Sequence, residues 1–167
     1  MSVPVKLIGY WRSIAEPEWP DPFDFVDDGW NAAERALVAA YLEAGLQPPW
    51  LQMGYSWCRF CVCDPLDREA QAELSQAQPR DTVEIDVGGV VVTAESCRPG
   101  ELNGSREFTD GVYLWPEGLS HYVRDHGVRL PTAIVRHMQT RGLPGDVDKI
   151  APRDVDHDWW KSMRPDW

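Results

Sequence analysis

Two cysteines spaced C-x2-C, Cys58 and Cys61, and two histidines spaced H-x4-H, His121 and His126, constrain this chain more than any other feature. At C-x2-C a tight knuckle points two thiolates at one ion, and two imidazoles complete the tetrahedral set that Zn(II) prefers. The 59 residues between Cys61 and His121 are far more than separate the ligand pairs of a DNA-reading finger. The pattern therefore predicts a structural zinc held by Cys58, Cys61, His121 and His126, acting as a clip inside a larger domain. Such a clip closes a long loop and contributes folding free energy directly.

The two histidines pose a geometric problem, because residues five apart on a regular helix point about 140° away from each other. Gly127 follows His126, so a helix loosening there into a tighter turn would swing His126 back toward His121. An all-cysteine set of Cys58, Cys61, Cys63 and Cys97 competes with this one. Without any ion, Cys58 and Cys61 read as small buried hydrophobes, and Cys63 and Cys97 as a pair that bridges on oxidation. Four available ligands argue for a closed ion, whereas a catalytic zinc keeps three and an open position for water. Were only three to bind, Asp110, Glu117 and Asp125 are the candidate bases. Each also has an ordinary role, as turn former, first-turn helix acid and solvated face respectively.

A chain of 167 residues suits one domain with a real core. Its 43% hydrophobic and 26% charged residues exclude wholesale disorder. A formal charge of -11 repels a phosphate backbone, which excludes nucleic acid as the expected partner and suits a basic protein instead. No apolar run approaches a membrane span, and residues 1–17 lack the long apolar core of an export signal. The expected location is the cytoplasm, where thiols stay reduced and clustered cysteines favour metal over disulfides. Phosphate-loop, dinucleotide and nucleophile-elbow motifs are absent from the sequence, and the acidic arm of Asp21, Asp24, Asp27 and Asp28 lacks the ligand order of a calcium loop.

Along the chain, residues 5–11 read as a strand and the proline-broken stretch that follows as an ordered arm. Residues 30–44 read as a helix, with Ala33, Leu37, Ala40, Tyr41 and Ala44 recurring at spacings of three and four, Asp28 or Asn31 as cap and Gly45 as stop. Residues 50–58 suit a strand leading into the knuckle, and 64–80 a polar loop with a helical turn or two. The alternation over 81–97 about Gly88-Gly89 predicts a hairpin, and 105–115 a second one turning at Asp110-Gly111. A helix is expected from Pro116 to Gly127, and another over 130–142 with Ile134, Val135 and Met138 inward. The last stretch mixes Pro and Asp with Trp159, Trp160 and Trp167. Rings that each bury about 150–250 Å² belong against this domain or another chain rather than in water.

"MGYSWCRFC", "NGSREFTDGVYLWPEGLSHYVRDHGVRLP" and "DFVDDGWNAAERALVAAYL" together resemble a group of small uncharacterised actinobacterial proteins that share a C-R-x-C knuckle, an N-G-S-x-E-x-T-D-G hairpin and a W-P-E-G-L-x-H-Y-V-x-x-H helix. The likeness covers roughly residues 6–62 and 103–131. In that group the knuckle runs almost directly into the N-G-S segment, which implies that residues 63–102 are inserted here and favours the two-Cys, two-His set. The expected fold is α+β: a small antiparallel sheet of hairpins with about three helices, clipped by a structural zinc. It spans residues 1–145, with a hairpin insertion at 64–100, and carries a Trp-rich acidic tail at 146–167. The expected function is a zinc-stabilised binding protein of the bacterial cytoplasm that engages a protein partner through an acidic, Trp-rich surface, a toxin-neutralising immunity protein being one instance. A zinc-dependent hydrolase-type enzyme with an open metal position is the alternative.

Overall fold

The computed structural model describes residues 3–12, 16–50, 58–60, 81–87, 90–96, 106–141 and 154–167, with 81–96 described by backbone alone. The knuckle's Cys58 is among them; Cys61, Cys63 and Cys97 lie outside the described residues, as do most of 50–58 and all of 64–80.

The chain is α+β, with a four-stranded mixed sheet and four α-helices among the described residues. Strand β1 (Val5–Leu7) is followed by a 3-10 helix, Pro22–Phe25, that Asp21 caps by accepting from the Phe23 N–H at 2.9 Å. Next comes helix α1 (Ala32–Glu43), whose first turn is held by Asn31 Oδ1, accepting from the N–H groups of Ala33 and Glu34. Strands β2 (Asp81–Val87) and β3 (Val90–Ser96) pair antiparallel, Val87 opposite Val90, as the alternation about Gly88-Gly89 predicts; the two glycines lie outside the described residues. Strands β4 (Glu107–Thr109) and β5 (Tyr113–Pro116) form the second hairpin, with Gly111 at φ 85° in the turn, a conformation that favours glycine. Helix α2 (Leu119–His126), helix α3 (Thr132–Thr140), strand β6 (Val155–Asp156) and the single-turn helix α4 (Asp158–Lys161) complete the order.

The sheet runs β4-β5-β1-β6, and it is mixed rather than the expected antiparallel array. Only β4 and β5 pair antiparallel in it; β1 lies parallel to β5, with Lys6 opposite Tyr113, and parallel to β6, with Val5 opposite Val155. Partners so far apart in sequence leave no hairpin signal, and strands of two or three residues are too short to display a period. Pro116 is the other departure. It closes β5 instead of opening a helix, and α2 begins three residues later.

The core is aromatic. Trp115 and Trp160 are both fully buried; the Trp115 indole N–H donates to the Leu42 carbonyl at 3.0 Å and that of Trp160 to Tyr10 at 2.7 Å. Trp11 bridges Phe25, Tyr122 and Trp160 through ring contacts of 5.4–5.7 Å. The C-terminal tryptophans thus pack on this domain, with Trp160 fully buried and Trp167 40% exposed, and most of the tryptophans described are core. In α1 the helical period is right but the phase differs: Val38, Ala39 and Leu42 face inward, while Leu37 is 44% exposed. Apolar residues on several sides of that helix fix its existence without fixing its orientation. In α3, Ile134, Val135 and Met138 are buried as expected.

Candidate metal centre

The knuckle delivers Cys58, fully buried, against the C-terminal half of α2. The Arg59 N–H donates to the Tyr122 hydroxyl at 2.8 Å, and the Phe60 ring stacks on His126 with centroids 4.5 Å apart and planes 11° from parallel. Burial, and after it the neighbouring Cys58 sulfur, pushes the Tyr122 phenol well above its ordinary pKa, so this hydroxyl stays protonated beside the sulfur.

His121 and His126 do converge. Their Nε2 atoms are 3.2 Å apart, and His126 Nε2 lies 3.4 Å from Cys58 Sγ. The helix ends directly after His126: Gly127, at φ 66°, donates its N–H to the Tyr122 carbonyl, and the Val128 N–H reaches the same carbonyl at 3.2 Å. Glycine supplies the left-handed conformation that ends the helix there.

All three ligand atoms lie within 4.8 Å of one another, and the group could hold a metal ion. The His121 Nδ1–H donates to Asp125 Oδ2 at 2.6 Å, which fixes the tautomer and turns the Nε2 lone pair toward the cluster. His126 Nε2 faces both a sulfur and a second imidazole nitrogen, yet carries either one proton or one lone pair. A cation at the centre accepts all three lone pairs at once.

The structure brings Cys58, His121 and His126 together, and Cys61 stands outside the described residues. The three candidate bases are each engaged elsewhere. Asp125 orients His121. Glu117 accepts from the Arg106 guanidinium, and Asp110 is fully buried in the β4–β5 turn. Asp110 Oδ1 accepts from the N–H groups of Val112 (2.9 Å) and Tyr113 (2.7 Å), while Oδ2 accepts from the Tyr41 hydroxyl and from His137 Nε2–H, both at 2.7 Å. Burial works to raise its pKa, but these donors together hold it below the ordinary carboxylate value. Asp110 is thus a junction of the hairpin, α1 and α3, and His137, which the spacing argument passed over, is part of it. Asp125 was within reach of that argument, since a carboxylate four residues after a histidine shares its helical face.

Comparison of the chain with protein-family models, curated proteins and solved structures yields no match.

Proposed function

We propose that this chain is a zinc-clipped binding protein whose acidic surface engages a basic protein partner. The convergence of Cys58, His121 and His126 carries the reading. A tetrahedral zinc with sulfur at about 2.3 Å and nitrogen at about 2.0–2.1 Å separates its ligand atoms by about 3.6 Å for sulfur to nitrogen and about 3.3 Å between nitrogens. Two of the three edges here are 3.4 and 3.2 Å, and the third, from Cys58 to His121, lies within 4.8 Å. Cys61, three residues beyond Cys58, is the proposed fourth ligand by its knuckle spacing. Soft sulfur and borderline imidazole together favour zinc over calcium or magnesium, which take oxygen.

A closed structural ion agrees with the engagement of Asp110, Glu117 and Asp125 in other contacts, which leaves none of these three positioned as a base for metal-bound water. The alternative, a hydrolase with an open position, draws on the three ligands present among the described residues, the number a catalytic zinc keeps. Metal analysis separates the two. The purified protein should carry one zinc per chain, and Cys58→Ser, Cys61→Ser and His126→Ala should each lose it. Full occupancy in the Cys58 and His126 variants overturns the clip. Retention in Cys61→Ser alone, with turnover of an activated ester, overturns the closed site in favour of the enzyme.

A further inference from the structure

The knuckle meets α2 through a phenol as well as through the candidate ligands. Tyr122, the residue after His121, is 3% exposed, and its ring packs against Trp11 and Phe60 with centroids 5.7 and 5.8 Å away. Its hydroxyl accepts the Arg59 N–H at 2.8 Å, and Arg59 directly follows the fully buried Cys58. A phenol accepts through a lone pair and still has its own proton to give. Buried protons of this kind find an acceptor, and the Cys58 sulfur is in place to be one. One hydroxyl, fixed by the rings around it, thus stands between a backbone amide and a sulfur.

A neutral thiol is a weak acceptor, whereas a metal-bound sulfur is a thiolate. Hydrogen bonds to an ionised acceptor are roughly twice as strong as neutral ones, and burial of both partners keeps water from competing for either. We infer that Tyr122 is a positioning residue of the metal centre: its hydroxyl donates to the Cys58 thiolate, aims the sulfur at the Nε2 atoms of His121 and His126, and draws off part of the charge that the sulfur presents to the ion. The same helix then orients two ligands. Asp125 turns His121 through Nδ1, and Tyr122, one residue along from that histidine, turns Cys58. This rests on the zinc-clip reading above and adds to it the group that tunes the sulfur.

Cobalt(II) in place of zinc in the full chain reports on the sulfur directly, because its near-ultraviolet charge-transfer band moves an electron from thiolate to metal. A hydrogen bond lowers the energy of the sulfur lone pairs and so raises the energy of that band. Tyr122→Phe keeps the ring and removes the hydroxyl. Its band should move to longer wavelength, and its zinc affinity should fall about tenfold or more in a chelator competition. Because this variant also strands the Arg59 N–H, a second substitution preserves that bond: 3-fluorotyrosine in place of Tyr122 retains ring and hydroxyl and, with a more acidic proton, donates more strongly. Its band should move to shorter wavelength. A phenol that only packs moves the melting temperature and neither band. An unmoved band in either substituted chain, or a shift of the same sign in both, overturns the inference while a wild type that holds cobalt and zinc leaves the clip standing. A wild type that binds neither metal refutes the clip itself.

Discussion

Asp110 offers a test of whether a buried acid in this fold is machinery or mortar. Its carboxylate takes four hydrogen bonds at 2.7–2.9 Å from two backbone N–H groups, a phenol and an imidazole. Asp110→Ala leaves all four donors without their acceptor. At about 1 kcal/mol per bond, with charge-assisted bonds worth more, the loss is about 4 kcal/mol or above. For a chain of this size that lowers the melting temperature by roughly 8–16 °C. Asp110→Asn keeps Oδ1 for the two turn amides and should lose only about 1–2 kcal/mol. The acid limb supplies a second reading. The folded-state pKa is depressed, so below the unfolded value of about 3.9 the unfolded chain binds the extra proton first. The stabilisation is therefore complete above that value and disappears as pH falls through the folded-state pKa. Urea titrations of wild type and both variants between about pH 2 and 7 check this. An Asp110→Ala variant within 1 kcal/mol of wild type, or an Asp110→Asn variant with an unchanged acid limb, refutes the junction role.

Three further outcomes are expected. Stability of the wild type should rise by about 1.4 kcal/mol for each tenfold increase of free zinc above the dissociation constant, while Cys58→Ser shows no such slope in thermal melts. Asp125→Asn should weaken metal binding by about 10–100-fold in a competition titration against a chromophoric chelator, because the carboxylate orients His121 through Nδ1; unchanged affinity contradicts that. Gly45→Ala would put a methyl 2.5 Å from the Trp115 ring and 2.8 Å from Phe108 Cβ, so calorimetry should register a loss of about 1–3 kcal/mol, and a neutral result means the ring is free to move.

What the sequence made legible follows the range of the interactions involved. Helices α1, α2 and α3, the Asn31 cap and the Gly127 stop rest on neighbours within one or two turns, and local patterning exposes them. The pairing of β1 with β5 and β6 depends on backbone groups more than a hundred positions apart and carries no side-chain signature in strands this short. The same distinction divides the site. Cys58, His121 and His126 announce themselves because metal ligands come from a short list of residue types at restricted spacings. Asp110, Tyr41 and His137 form an equally deliberate cluster, but hydrogen-bonding types are common and three elements must dock before they meet. The exposed Leu37 shows the limit within a helix: composition gave the period and packing chose the face.

The knuckle links the candidate metal site to the 3-10 helix. Residues 58–60 belong to no helix or strand, and each touches α2 or the segment from Arg12 to the 3-10 helix: Cys58 meets His126, Arg59 meets Tyr122 and the Arg12 carbonyl, and Phe60 meets His126 and Phe23. With an ion at the centre, Cys58 and His126 share one coordination sphere, and Phe60 is pinned between the stacked imidazole and the 3-10 helix. Without it, His126 Nε2 serves either the sulfur or His121, and the stack on Phe60 loses its fixed base. Chelation should therefore remove the nuclear Overhauser contacts between the Phe60 and Phe23 rings at a temperature where circular dichroism shows the metal-free chain still folded, and returning one equivalent of zinc should restore them. Ring contacts that persist unchanged in the chelated protein would separate the candidate metal site from the 3-10 helix and refute this coupling.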